Sequence, residues 1–352
     1  MKNISCKNYQ IHINHWHAFE QFIKEQDPSS IFVIVDENTE KYCLHIALEH
    51  LDRAIQVIRI PSGEQNKNLA SCQQIWQNLL KYGADRHSLV INLGGGVIGD
   101  MGGFCAATYM RCINFVQVPT TLLSQVDASV GGKLGIDFMG FKNVVGLISD
   151  PSAVFIFTEF LNTLPSDQKK SGFAELLKHG LIADKNTWYK LTESNPISSD
   201  DFEQLVYESI MIKKKVTEQD PHEKGIRKIL NFGHTVGHAI ESYWMDSRTP
   251  LLHGEAVAIG MVSEAFLSYR VGKISESDLF NIRNSIIKLY GHHPKYVKPA
   301  DEIINLMRLD KKNYKGEFRF SLLDAVGHGC YDIPINQDTV AESFIFYKER
   351  MG

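Results

Sequence analysis

The sequence predicts a Rossmann-like α/β domain at the N-terminal end and a mainly α-helical domain after it. Three observations carry that expectation. Short β-branched runs alternate with helix-like stretches through the first half. One of these runs leads into a cluster of glycines and then a second helix-like stretch. Beyond residues 150–165 the pattern becomes helical, and histidines and acids gather there.

In order, the strand-like runs are "IFVIVD" (31–36), "IQVIRI" (55–60), "SLVINL" (88–93) and "INFVQV" (113–118), with helical stretches at 39–52 and 68–82 between them. Alternation of this kind argues for a parallel sheet covered on both faces. The later helical stretches are 171–184, 199–219, 223–244, 253–273 and 276–291, with "FRFSLLDAVG" (318–327) as a late strand. At 352 residues two domains are expected, and the composition shift sets them at 1–158 and 159–352.

Composition excludes several classes. With 43% hydrophobic and 22% charged residues the chain reads as globular. A net charge of −4, with Lys213–Lys215 as the longest basic run, gives no footprint for nucleic acid or an acidic membrane. The first residues lack an apolar signal core, and no segment approaches the roughly 18 apolar residues of a membrane span. Six scattered cysteines without a CxxC suit a reducing compartment, so a cytoplasmic location is expected.

The chemistry begins at "SLVINLGGGVIGDMGGF". Glycines at a strand-to-helix turn let backbone N–H groups approach a pyrophosphate, which the helix N-terminus favours electrostatically. A tight turn requiring positive φ is the alternative. The spacing is GGGxxG, through Gly94, Gly95, Gly96 and Gly99. Asp36, closing its strand, either accepts from an adenine ribose, favouring NAD over NADP, or acts as a turn or N-cap residue.

In the second half, Glu175 and His179, His234 and His238, and His253 and Glu255 all have spacings that suit a shared divalent ion. Two histidines and a glutamate make a common catalytic zinc set. Spacing alone does not choose among the pairs. Lys133, Lys142, Lys178, Arg227, Lys311 and Lys312 sit among glycines or apolar residues, and together they would clamp an anion.

Seven segments then stand in order: "SGEQNK", "GGGVIGDMGGF", "VPTTLLSQVDASVGGKLG", "GFAELLKHGLI", "EKGIRKILNFGHTVGHAIES", "LLHGEAVAIGM" and "LDKKNYKGEFRFSLL". Together they resemble the 3-dehydroquinate synthases, over about residues 30–327. The resemblance implies a dehydroquinate synthase-like fold, with an NAD-binding α/β domain, a helical metal-binding domain and an active site in the cleft between them. It implies NAD and one divalent metal, zinc or cobalt, as cofactors and a phosphorylated sugar acid as substrate. The substrate would be 3-deoxy-D-arabino-heptulosonate 7-phosphate, transiently oxidised, relieved of phosphate, re-reduced and closed to 3-dehydroquinate.

Carried onto this sequence, the resemblance makes Glu175, His234 and His253 the metal ligands, with His238 a proton-handling partner at the phosphate end. NAD would be met by Ser62, Gly63, Glu64, Gln65, Asn66 and Lys67. It would also meet Gly95, Gly96, Val97, Ile98, Gly99 and Asp100. Further contacts would come from Thr120, Thr121, Lys133 and Lys142, and from Phe160, Leu161, Asn162 and Thr163. Asp127, Lys133, Asn143, Lys178, Lys213, Arg227, Asn231 and Lys311 (or Lys312) would face substrate. Arg111 would reach the phosphate in a neighbouring subunit's site, which implies a homodimer.

The sequence departs from the family pattern in three places. The loop Asp137–Asn143 has its glycine one place away from the usual position, His179 replaces a usual tyrosine, and Cys112 replaces a usual glycine. The rival readings are another sugar phosphate cyclase, of the 2-deoxy-scyllo-inosose or valiolone type, a metal-dependent polyol dehydrogenase, and a non-catalytic NAD-binding protein.

Overall fold

A strand that is apolar at every position has no face to offer water and must be covered on both sides. The runs Ile31–Val35 and Leu89–Gly94 are buried along their whole length in the computed structural model, which describes residues 1–139, 141–193, 202–245, 247–308 and 317–349. Its strands are β1 (Lys2–Ser5), β2 (Gln10–Ile13), β3 (Ile31–Val35), β4 (Ile55–Arg59), β5 (Leu89–Gly94), β6 (Asn114–Pro119), β7 (Lys133–Phe138), β8 (Phe141–Ile148), β9 (Ala153–Ile156), β10 (Phe318–Ala325) and β11 (His328–Ile335). The principal helices are α1 (Trp16–Gln26), α2 (Leu69–Lys81), α3 (Gly96–Thr108), α4 (Ser166–Ala183), α5 (Lys185–Glu193), α6 (Phe202–Gln219), α7 (His234–Trp244), α8 (His253–Arg270), α9 (Glu276–Tyr290), α10 (Ala300–Arg308) and α11 (Gln337–Lys348).

The chain divides into two compact units, Met1–Lys169 with Asp201–Glu218, and Lys170–Asp200 with Gln219–Gly352. This differs from the single boundary expected at 158/159, because α6 associates with the first unit. Glu203 on α6 accepts from Asn14 Nδ2 at 2.7 Å, and Lys213 pairs with Asp127 at 2.8 Å.

In the first unit seven strands order as β1-β2-β9-β6-β5-β3-β4, parallel except for the β1–β2 hairpin. All four expected runs lie in this sheet. Phe32, Ile34 and Val90 enter the core on one face; Ile31, Val33, Leu89 and Ile91 enter the core on the other. The N-terminal hairpin, β9 and the separate β7–β8 hairpin were not expected. β1, β2 and β9 are four residues each, and β8 is largely exposed.

In the second unit α4 and α8 are the buried helices, with nearly every residue of 171–182 and 254–268 shielded from solvent. The expected helix 223–244 is two pieces, a 3₁₀ segment Ile226–Asn231 and α7. Gly233, at φ +81°, breaks it. The β10–β11 pair supplies a partner for the one late strand expected.

Glycines set the spacing of these helices. A Cβ on Gly260 would lie 1.9 Å from the Gly233 carbonyl oxygen, and one on Gly237 would lie 3.0 Å from Val257 Cα. Gly260→Ala is therefore expected to destabilise the protein by about 3 kcal/mol, measured as a lowered urea midpoint; an unchanged midpoint would mean that α7 and α8 are not so closely packed.

Candidate active site

β5 runs into α3 through Gly94, Gly95 and Gly96, and α3 begins without a side-chain cap. Its first N–H groups and the positive end of its dipole are thus directed out of the helix start. Gly94, Gly95, Gly96 and Gly99 all keep negative φ, so the positive-φ turn is not the reason for them. Close packing explains several neighbouring glycines. A Cβ on Gly94 would meet Ile98 at 2.4 Å, one on Gly102 would meet Asn92 Oδ1 at 2.1 Å, and one on Gly103 would meet Leu134 at 2.5 Å. Gly95 and Gly96 have nothing closer than 3.2 and 3.5 Å, so small residues there leave the helix start open.

Around this turn, segments distant in sequence converge. Lys67 is buried, and its Nζ donates to Asp100 Oδ2 at 2.6 Å and to Asn143 Oδ1 at 2.7 Å. The Lys67 carbonyl accepts from Asp137 N at 2.8 Å, and Asp137 Oδ1 accepts from Asn143 N at 2.7 Å. Burial raises the Asp100 carboxyl above its ordinary pKa against the pull of Lys67. Lys142 Nζ lies 3.4 Å from Glu64, so the altered loop still brings this lysine to the 62–67 segment. Its glycine, Gly140, lies outside the described residues.

The remaining cofactor candidates have mixed settings. Thr120 N donates to Gly94 O at 3.0 Å, while Thr121 pairs its hydroxyl with Ser124. Gly63 takes φ +102°, and Asn66 Nδ2 ties back to Ser62 O. Phe160 and Leu161 are core residues, whereas Asn162 and Thr163 are exposed. Asp36 is an N-cap, with Oδ1 accepting from Thr39 N at 2.8 Å and from the Thr39 hydroxyl at 3.1 Å. Of its two readings, the cap is what the structure displays.

In the second unit three helices present the metal candidates. Glu175 and Lys178 lie on α4, His234 opens α7 and His253 opens α8. The start of α8 is pressed onto α4, because Gly254 N donates to Ser171 Oγ and a Cβ at Gly254 would lie 2.0 Å from Ser171 O. His234 Nδ1 is 3.1 Å from Phe232 O, and His253 Nδ1 is 3.2 Å from Glu241 Oε2. With Nδ1 of each ring engaged by an acceptor, the two Nε2 atoms lie 3.4 and 3.6 Å from Glu175 Oε1.

Glu175 is fully buried, forms an ion pair with Lys178, and neither carboxylate oxygen accepts a regular hydrogen bond among the described residues. Burial opposes its ionisation, yet Lys178 and His234 hold the carboxyl well below the usual range. Burial and Lys178 lower His234, whereas Glu241 and Glu175 overcome burial and push His253 up to about 10. The same two carboxylates that draw a proton onto His253 would attract a divalent cation. This donor set fits one: two imidazoles and a carboxylate with deprotonatable atoms facing each other.

His238 adds a third imidazole, its ring centroid 5.0 Å from that of His234 and 5.7 Å from that of His253. One nitrogen of each of the three lies within 4.8 Å of the others. His179 is buried one turn from Glu175. Glu255, one of the candidates by spacing, instead accepts from Leu252 N at 3.0 Å at the start of α8.

Of the anion-binding candidates, Arg227 is buried with Nη1 donating to Pro221 O at 2.7 Å, and Asn231 Nδ2 donates to Glu223 at 2.8 Å. Lys213 pairs with Asp127 in the first unit, where Lys133 and Arg111 are exposed. Lys311 and Lys312 lie outside the described residues. Glu241 was not foreseen from sequence, although 234, 238 and 241 share a helix face and the spacing was there to be read.

The fold is that of the sugar phosphate cyclases. A 2-deoxy-scyllo-inosose synthase, solved with carbaglucose-6-phosphate, NAD+ and Co2+, superposes with TM-score 0.85 at 25% identity, covering 97% of this chain and 98% of that one. A 2-epi-5-epi-valiolone synthase from Streptomyces hygroscopicus, solved with NAD+ and Zn2+, gives TM-score 0.85 at 23% identity, covering 99% and 98%. Residues 57–171 match the 3-dehydroquinate synthase N-terminal family model and residues 172–313 the C-terminal one. A 3-dehydroquinate synthase from Parabacteroides distasonis is 38% identical over 100% of this chain and 99% of its own length. One from Leptospira interrogans is 37% identical over 94% and 92%. The chain belongs to the 3-dehydroquinate synthase family.

One departure from the family pattern has a backbone consequence. Met110, Arg111 and Cys112 take φ +48°, +67° and +101° in succession. The last lies where L side chains are strained and glycine is not. Cys112→Gly is expected to stabilise the protein by about 1 kcal/mol, seen as a raised melting temperature; a lowered one would show that the thiol's contacts outweigh the strain.

Proposed function

We propose that the chain catalyses its family's reaction, converting 3-deoxy-D-arabino-heptulosonate 7-phosphate to 3-dehydroquinate and phosphate in the shikimate route to aromatic amino acids. The observation that carries this reading is 38% identity along the full length to a 3-dehydroquinate synthase. The 2-deoxy-scyllo-inosose synthase and the valiolone synthase share the fold at 25% and 23% identity.

The reaction is a carbon–oxygen lyase reaction with no net redox change. When bound, NAD supplies transient hydride acceptance and a divalent cation, zinc or cobalt, polarises the substrate hydroxyls. Glu175, His234 and His253 would hold the cation, a role supported by their facing donor atoms. The 62–67 and 95–100 segments, with Thr120, Thr121, Lys133, Lys142 and 160–163, would hold NAD. That role is supported for the first two segments by the Lys67–Asp100–Asn143 network at the open start of α3.

Lys178 balances the buried Glu175 carboxylate and orients substrate oxygen beside it. Lys213, Arg227, Asn231 and Lys311 or Lys312 bind the sugar acid, with Asp127 and Asn143 fixing its orientation. His238 moves a proton at the phosphate end, the one cluster histidine here given no ligand role. Arg111 acts across a homodimer. A cytoplasmic location belongs to the same proposal, supported by six cysteines that are all free thiols.

Phosphate release from the heptulosonate phosphate tests the function. It is expected to need only catalytic NAD, to proceed without NADH accumulation, and to fall at least about 100-fold after chelation. Added Zn2+ or Co2+ should restore it. Chelator-resistant release would refute the metal role, and NADH accumulation would point to a dehydrogenase. Lys142→Ala is expected to lower kcat/KM about tenfold, and unchanged kinetics would remove Lys142 from the cofactor contacts.

A further inference from the structure

A carboxylate in the middle of a buried helix must be satisfied by donors, since an unpaired one is strongly destabilising. Glu264 is such a residue. It lies on α8 with no solvent exposure, and both oxygens are directed at the beginning of α7. Oε2 accepts from Gly233 N at 2.6 Å and Oε1 from Val236 N at 3.1 Å. These amides flank His234, the first residue of α7. The N-cap residue itself is Gly233, which has no side chain to offer. The cap that a Ser, Asp or Asn would provide locally comes here from another helix.

One turn before Glu264 on α8 stands Gly260, where any Cβ would collide with the Gly233 carbonyl. The pair forms a socket: Gly260 admits the Gly233 peptide and Glu264 takes its N–H. Gly233, held at φ +81° by this socket, fixes the direction in which α7 departs and so the place of the His234 ring.

We infer that Glu264 is a positioning residue for His234, setting metal affinity through the α7 backbone without touching the metal. The inference rests on the metal reading above. Glu264→Gln keeps the size and one acceptor oxygen but turns the other into an NH2 group opposing a backbone N–H.

The test is Co2+ titration of metal-free protein, followed by the visible ligand-field spectrum, for the unmutated chain, Glu264→Gln and Val262→Ala. Val262 is equally buried on α8, and its truncation controls for general loss of stability. Glu264→Gln is expected to bind Co2+ about 10- to 100-fold more weakly with an altered spectrum, while Val262→Ala keeps affinity and spectrum. Equal loss in the two variants would reduce Glu264 to a structural residue and overturn the inference. Failure of the unmutated chain to bind Co2+ would overturn the metal reading beneath it. Should Glu264→Gln not fold, amide exchange of the unmutated metal-free protein decides. Gly233 and Val236 amides protected as strongly as those of central α8 support the cap, and exchange at open-chain rates refutes it.

Discussion

The charge of Glu175 is the fact around which the second unit is arranged. A carboxylate with no exposure is tolerated only where positive charge or a cation meets it. Lys178 meets it within one helical turn, and two imidazoles meet it from two other helices. That geometry needs helix axes closer than ordinary side chains allow. Gly254 brings α8 to α4, and Gly260, Gly237 and Gly233 bring α7 to α8. The glycines that interrupt "FGHTVGHA" and "LHGEAVAIG" are thus the reason that charge can be buried there at all.

The first unit solves the same problem with opposite sign. Lys67 is buried as a cation, and Asp100 and Asn143 supply its acceptors. The result is a network joining the segment after β4, the first turn of α3 and the β7–β8 hairpin. Each of these segments is tied to another through the Lys67 ammonium or its carbonyl. Such networks lose much when any member is removed.

Legibility from sequence followed the physics of each element. The central strands announced themselves because burial on both faces favours runs of apolar, often β-branched residues. The hairpins did not, since β8 is largely exposed and Lys2–Ser5 is polar. Helices α4, α6, α8 and α9 were visible through their helical period, but the break at Gly233 was not. A glycine between apolar residues reads the same whether it packs or bends. Spacing offered three candidate metal pairs without choosing among them, because the choice depends on which helices meet. Resemblance to known sequences supplied that choice; in the structure the His234 and His253 Nε2 atoms lie 3.4 and 3.6 Å from Glu175 Oε1. Glu255 was a plausible ligand by position and is a capping residue by contact, a distinction carried by one hydrogen bond. Glu264 was invisible: nothing in "GMVSEAF" says that its carboxylate faces the start of another helix.

Fold alone would leave the chemistry open, because one fold hosts unrelated reactions. Net oxidation of an alcohol and a redox-neutral elimination both begin with hydride leaving a carbinol carbon. They part at the next step, where elimination must expel an anion and then return the hydride. That step asks for fixed cations and a proton-handling group beside the same cluster. The second unit holds buried Lys178 and Arg227, with one nitrogen each of His234, His238 and His253 within 4.8 Å of the others. Identity of 38% along the full length to a 3-dehydroquinate synthase, and not the shared architecture, places this chain with the eliminating enzymes.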